Sequence, residues 1–186
     1  MEFYKEILCH HSCLQLWYIY TSILAIDIAG AFDHASWPII IERLIKYKFP
    51  PQITKLISSY LHNRQIDFSY IGTKVSKQLN KGCPQGGGLS SLLWNLLINN
   101  LLSTFNVQNS HLAAYADDIS VICWADNPSQ LSKTLTDCLN FTTNWCKNNG
   151  LEISYNKCGL LHFHNNNIQI KSGIHIMWNQ FSIMWE

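Results

Sequence analysis

Two apolar runs meet at a pair of carboxylates in Ala113-Ala114-Tyr115-Ala116-Asp117-Asp118-Ile119-Ser120-Val121-Ile122-Cys123-Trp124, and this stretch restricts the fold more than any other. The pattern predicts a tight β-hairpin with acids at its tip, because β-branched and aromatic residues suit a sheet and Asp tolerates a turn. Two adjacent carboxylates beside an apolar sheet repel each other and lose hydration, a cost that a cation or hydrogen-bond donors must offset. A divalent metal is the natural compensation. An exposed Asp-Asp turn with no ligand is the other reading, and this stretch alone leaves both open.

A chain of 186 residues can bury one full core, and 47% hydrophobic content is ordinary for a globular protein. One domain is expected, with no internal repeat and no linker. Seven cysteines, an odd number without C-x-x-C pairing, point to reduced thiols and an intracellular setting. The net charge of +1 hides a lopsided distribution: Arg43 to Lys81 holds eight basic residues against Asp67 alone, a local balance of +7. A basic segment beside an acidic hairpin suits a site that grips a phosphate backbone with one part and does chemistry with another. A solvated helix face with a polar loop would carry the same charges.

At the N-terminal end, Ile7 to Ile26 carries no formal charge, which raises a membrane question. His10, His11, Ser12, Gln15, Thr21 and Ser22 interrupt the run and Asp27 follows it, so neither a membrane span nor a signal peptide is expected. In Cys9-His10-His11-x-Cys13 the four donors lie too close in sequence to reach one tetrahedral ion, and no zinc site is expected there.

Ser22 to Ile28 reads as a buried strand with Asp27 at its end, followed by a turn-like patch at Ala29 to Asp33. Ser36 and Pro38 start a helix with Ile40, Ile41, Leu44 and Ile45 on its apolar side, and Pro50-Pro51 stops it. Ile53, Leu56, Ile57, Tyr60 and Leu61 recur at helical spacing and are expected in the core. Ile66 to Leu79 reads as a basic hairpin turning around Gly72-Thr73, with Lys74 and Lys77 on one side. The glycines of Gly82-Cys83-Pro84-Gln85-Gly86-Gly87-Gly88 let backbone approach a ligand closely, ahead of a helix bearing Leu89, Leu92, Leu93, Leu96, Leu97 and Leu101. Beyond the acidic hairpin, Asn127-Pro128 caps a long helix with Leu131, Leu135, Leu139, Thr142, Trp145 and Cys146 inward, ended by Asn149-Gly150. Leu151 to Ser154 and Leu160 to His164 suit a closing pair of strands joined through Lys157, and no element is assigned from Asn165 to Glu186.

In this order, four short segments together resemble the palm of a reverse transcriptase, most closely the non-LTR (LINE-type) retrotransposon group. Asp27-Ile28-Ala29-Gly30-Ala31-Phe32-Asp33 is similar to motif A, and Tyr60-Leu61-His62-Asn63-Arg64-Gln65 leading to Gly82-Cys83-Pro84-Gln85-Gly86 to motif B. Tyr115-Ala116-Asp117-Asp118 is similar to motif C, and Gly150-Leu151-Glu152 with Lys157 to motif D. The resemblance implies an α/β (α+β) polymerase palm: an antiparallel sheet with helices packed on one face, spanning residues 23–164, between an N-terminal remnant at 1–22 and a tail at 165–186.

It further implies that Asp27, Asp117 and Asp118 hold two Mg²⁺ ions, with Mn²⁺ as a substitute, for nucleotidyl transfer from a dNTP to a DNA primer 3′-hydroxyl on an RNA template. Phe32 falls at the aromatic gate against the ribose 2′-hydroxyl. Gln85 and Gly86 fall where the incoming nucleotide and template are contacted, and Lys157 falls where pyrophosphate is protonated. Charge, more than any motif, nominates Arg64, Lys74, Lys77 and Lys81 for template or primer backbone. Against the family pattern, about twenty residues precede motif A and about twenty follow His164, so fingers and thumb are expected to be largely missing, to be supplied by other polypeptide. Two functions follow from this. One is an RNA-directed DNA polymerase; the other, favoured because positioning supplies much of phosphoryl-transfer catalysis, is a truncated, inactive fragment with at most weak metal or nucleic-acid binding. An apolar surface left exposed where fingers and thumb pack is also expected.

Overall fold

Along β1 (Tyr20–Asp27) every second residue from Ser22 to Ile26 is buried, the period of a pleated strand with one covered face. The same alternation buries Ile119, Val121, Cys123 and Ala125 of β5 (Asp118–Ala125), which runs antiparallel to β1. The computed structural model describes residues 20–84, 86–164 and 167–172. Among them β4 (Ser110–Tyr115), β6 (Gly159–His164) and β7 (Asn167–Ser172) complete an antiparallel sheet of order β4-β5-β1-β6-β7. A separate two-stranded ribbon consists of β2 (Gln65–Tyr70) and β3 (Thr73–Gln78).

The helices are α1 (Ala31–His34), α2 (Trp37–Lys46), α3 (Pro51–Leu61), α4 (Gly88–Thr104) and α5 (Pro128–Asn148). Both β5 and β6 run antiparallel to β1, so they are parallel to each other, and α5 makes the crossover between them with β1 inserted. This helix covers the buried face: Sγ of Cys138 lies 3.6 Å from Sγ of Cys123 on β5. The helix α4 packs beside it, the buried Trp145 indole N–H donating to Asn100 Oδ1 at 3.1 Å. The expected architecture, an antiparallel sheet with helices on one face, is the one found.

The start of α5 follows from its capping residue: Asn127 Oδ1 accepts from the Gln130 N–H at 2.9 Å, and Pro128 occupies the first turn. Its end follows from Gly150, at φ +68°. All six inward positions read from the spacing are buried. Leu93, Trp94, Leu97 and Leu101 of α4 are fully buried too, each leucine contributing about 1.5–3 kcal/mol relative to exposure.

Several expectations are corrected. Ile45 and Leu56 are each 65% exposed, and Ile53 and Tyr60 are also exposed; spacing identifies an apolar stripe, but burial depends on what lies opposite. Lys46, not the prolines, ends α2: Lys48 turns left-handed at φ +58°, the Phe49 N–H closes on Leu44 O at 3.0 Å, and Pro51 instead opens α3. The patch at 29–33 is mostly helical, forming all but the last residue of the short helix α1 from Ala31 on. Lys74 and Lys77 project to opposite faces of the ribbon, facing Ser69 and Ile66 respectively, because three residues along a strand reverses the side. Leu151 to Ser154 contributes only a bridge from Ile153 to Ile28; the partners of β6 are β1 and β7. The Cys9-His10-His11-x-Cys13 cluster and most of the uncharged N-terminal run lie outside the described residues. Among the described residues no helix is long and apolar enough to cross a membrane.

Candidate active site

The last residue of β1 and the first of β5 are register partners, so Asp27 faces Asp118 directly across the strand pair. Their parity puts both on the sheet face away from the helices, in line with the half-buried Ala25, Ile23, Ser120 and Ile122. Asp117 precedes Asp118 in the two-residue turn that joins β4 to β5, after Ala116 at φ +53°. Like charges directly opposite on adjacent strands destabilise a sheet. Part of the offset is Lys157, whose Nζ lies 3.6 Å from Asp27 Oδ2. That same oxygen is buried and has no hydrogen-bond partner, so it retains lone pairs for a further cation.

Lys157 reaches this position because the motif D segment is tied to the end of β1. The Ser154 N–H donates to Asp27 O at 2.8 Å and the Ala29 N–H to Glu152 O at 2.8 Å, flanking the bridge between Ile28 and Ile153. A 3₁₀ turn at Tyr155–Lys157 then carries the lysine back over the acid.

Among the described residues no three His, Cys, Asp or Glu side chains converge tightly enough to enclose an ion. The donors on offer are carboxylate oxygens, which suit Mg²⁺ or Mn²⁺ rather than a soft metal; Mg²⁺ characteristically keeps several waters and takes only one or two protein carboxylates along with substrate phosphates. An open carboxylate pair with an orphaned oxygen fits that requirement.

The glycine-rich loop is fastened to motif A. Gly82 N–H donates to Ala35 O at 2.8 Å, Cys83 N–H to Phe32 O at 2.7 Å, and the Trp37 indole to Gly82 O at 2.8 Å. Gly82 needs to be glycine on two counts, its φ of +95° and the Asp33 carbonyl oxygen 2.8 Å from where a Cβ would sit. Its close approach is therefore to the chain itself. Gly86, at φ +82°, has open space around it, while Gln85 lies outside the described residues. Phe32 is half-buried, its ring 5.6 Å from that of Trp94. Burial pushes the Cys83 thiol up to about 11 against the opposing pull of Arg64, which keeps it protonated and non-nucleophilic. Cys83, Cys123, Cys138, Cys146 and Cys158 are all free and buried.

The structure thus brings Asp27, Asp118 and Lys157 together with Asp117 in the adjoining turn, and packs Phe32 under the glycine loop. The other basic candidates belong to the ribbon and its flanks. Lys74 is paired with Asp67 at 3.9 Å, Arg64 lies 5.5 Å over the Tyr60 ring, and Lys77 and Lys81 are exposed. Two residues that sequence reasoning passed over hold the site: Trp37, and Trp94, whose indole N–H donates to Ala116 O at 2.6 Å. The only signal for Trp94 was a tryptophan in phase with the buried leucines of its helix.

The family described as "Reverse transcriptase (RNA-dependent DNA polymerase)" matches residues 5–177. The chain is 30% identical over 150 residues to the Pol polyprotein of type-1 retrotransposable element R1 from Bradysia coprophila, covering 80% of this chain and 14% of that protein. It is 27% identical over 146 residues to the RNA-directed DNA polymerase of mobile element jockey from Drosophila melanogaster, covering 75% of this chain and 16% of that protein. Among solved structures, apo telomerase from Candida tropicalis truncated from its C-terminal domain superposes with TM-score 0.63 at 14% identity, over 91% of this chain and 38% of that one. Telomerase from Candida albicans in complex with a fragment of telomeric RNA gives TM-score 0.61 at 13% identity, over 92% and 34%. These likenesses establish a shared fold.

Proposed function

The chain belongs to the reverse transcriptase (RNA-dependent DNA polymerase) family, in its non-LTR (LINE-type) group, and from that premise we propose that it is the palm of an enzyme that extends a DNA primer along an RNA template. The observation that carries the proposal is the register pairing of Asp27 with Asp118, with Lys157 Nζ 3.6 Å from Asp27. Asp27, Asp117 and Asp118 would hold two Mg²⁺ ions, or Mn²⁺. What such ions supply is a more acidic primer 3′-hydroxyl and stabilisation of charge on the transferred phosphate and the departing pyrophosphate.

The chain's own residues do the rest. Phe32, seated on Trp94, blocks space beside the nucleotide sugar and so selects deoxynucleotides. Gln85 and Gly86 border the nucleotide and template. Lys157, on an exposed stem that reaches the acids, donates a proton to pyrophosphate as it leaves. Arg64, Lys74, Lys77 and Lys81 meet template or primer phosphates.

A second reading, a palm module that catalyses nothing by itself, is favoured by one observation. Leu56, Phe68, Tyr70 and Ile71 are 65%, 62%, 65% and 84% exposed, a surface that suits further polypeptide. The chain spans 14% of the R1 polyprotein and 16% of the jockey polymerase that it matches.

Primer extension on an RNA template with a DNA primer, in Mg²⁺ or Mn²⁺, decides between them. Extension by the wild-type chain and none by Asp117→Ala supports a minimal polymerase. No extension by either, with the protein shown folded, supports the non-catalytic module.

A further inference from the structure

A buried indole must find an acceptor for its N–H, and Trp94, fully buried in α4, finds the Ala116 carbonyl at 2.6 Å. Ala116 is the first central residue of the turn that carries Asp117, and its φ of +53° lies in the left-handed region disfavoured by a Cβ. Two-residue hairpin turns of types I′ and II′ share a positive φ at that first position. They differ at the second, where turning over the central peptide changes the sign. Here φ is positive at Ala116 and not at Asp117, the signs of type II′. The carbonyl that Trp94 holds belongs to that central peptide, so the hydrogen bond selects which way the peptide is turned, and with it the direction of Asp117. The same ring lies 5.6 Å from Phe32, tilted by 34°.

We infer that Trp94 is a positioning residue: its N–H sets the orientation of the Asp117 turn while its ring seats Phe32, so that one side chain registers the nucleotide gate against the acids. What the acids and the gate do rests on the proposed polymerase reading; the orientation of the turn does not. A packing role alone would be satisfied by any ring of similar size. A positioning role requires the N–H.

The test compares the full wild-type chain, Trp94→Phe, and Trp94→Phe combined with Ala116→Gly, by two readouts. The first is metal-free amide hydrogen exchange at Tyr115 and Asp118, the pair that closes the turn; the second is Mn²⁺ titration followed by electron paramagnetic resonance. Trp94→Phe is expected to speed exchange at Asp118 about tenfold, the scale of one neutral hydrogen bond, and to weaken Mn²⁺ binding. The added glycine, which holds a positive φ without strain, is expected to restore both in part. Exchange at the wild-type rate in Trp94→Phe, or no recovery on adding Ala116→Gly, overturns the inference. If wild-type protein takes up no Mn²⁺, the metal reading of the acids fails, and the exchange data still judge Trp94. Should Trp94→Phe not melt cooperatively, the wild-type indole N–H decides: exchange as fast as in a free indole overturns the inference, and strong protection supports it.

Discussion

Replacing Lys157 with alanine should tighten metal binding at the acids while barely changing stability. The ammonium lies 3.6 Å from Asp27 Oδ2, on a side chain that is 70% exposed. At that distance and near the dielectric of water, the attraction is about 1 kcal/mol. A cation arriving at Asp27 must compete with that pairing, so its loss should tighten Mn²⁺ binding about fivefold at low salt, as read by isothermal titration calorimetry. In about 1 M salt, where screening acts over about 3 Å, the difference should collapse. The melting free energy should shift by less than about 1 kcal/mol, because an ion pair whose ammonium stays in water contributes little to folding even though the Asp27 oxygen it faces is buried. Lys157→Arg should retain wild-type affinity. If extension activity is present, turnover should fall about a hundredfold in Lys157→Ala even as metal binding tightens, since a lost general acid and a lost competitor act in opposite directions. Equal or weaker Mn²⁺ binding by Lys157→Ala at low salt refutes the reasoning.

Three further outcomes are expected. Gly82→Ala should destabilise the fold by about 2 kcal/mol or more in urea titration, because the Cβ meets the Asp33 carbonyl at 2.8 Å and the φ is +95°; a change within about 0.5 kcal/mol would show that the loop is not seated as described. Burial raises the Cys83 thiol from 9.0 to about 11, against the pull of Arg64, and the Cys146 thiol to about 12, with Cys158 adding to the rise. Because both folded values lie above the ordinary 9.0, the unfolded chain loses these protons first. The stability they contribute is therefore complete below about pH 9 and is lost as pH rises toward the folded values. The melting temperature should fall across that alkaline window and fall less in Cys83→Ala/Cys146→Ala; equal falls in the two proteins would contradict this. Finally, chymotrypsin should cut first in the ribbon, after Phe68 or Tyr70, since both strands are exposed throughout and an isolated two-stranded hairpin is marginally stable. A first cut within α4 or α5 would count against it.

How much of this was legible in the residues depends on the range of the interaction concerned. Local rules were enough for α5, where Asn127, Pro128 and Gly150 set the ends and all six inward positions are buried. They were enough for the acidic hairpin, whose second strand alternates as one side of a half-covered sheet must. They also placed a turn between the strands of the ribbon, but one residue late: the two-residue turn is Ile71-Gly72, and Thr73 already pairs with Tyr70. Four short segments in order carried the family, because each is a local string that needs no partner to be recognised.

Tertiary structure decided the rest. Helical spacing marked Ile45, Leu56 and Leu92 as apolar, but only the neighbours present or absent across from them left these side chains exposed. The facing of Asp27 and Asp118, 91 residues apart in the chain, is a matter of strand register, and a slip of one residue would have turned one acid to the covered face. Lys157 meets Asp27 because two backbone hydrogen bonds, Ala29 N–H to Glu152 O and Ser154 N–H to Asp27 O, fold motif D onto the end of β1. Trp94 looked like one more apolar residue on a leucine-rich helix. Its indole N–H gained a role only when packing brought the Ala116 carbonyl, 22 residues away, to within 2.6 Å. Periodicity and capping depend on near neighbours, so the sequence determines them by itself; a hydrogen bond or a charge pair between distant segments exists only once the chain has closed its loops and the core has set their register.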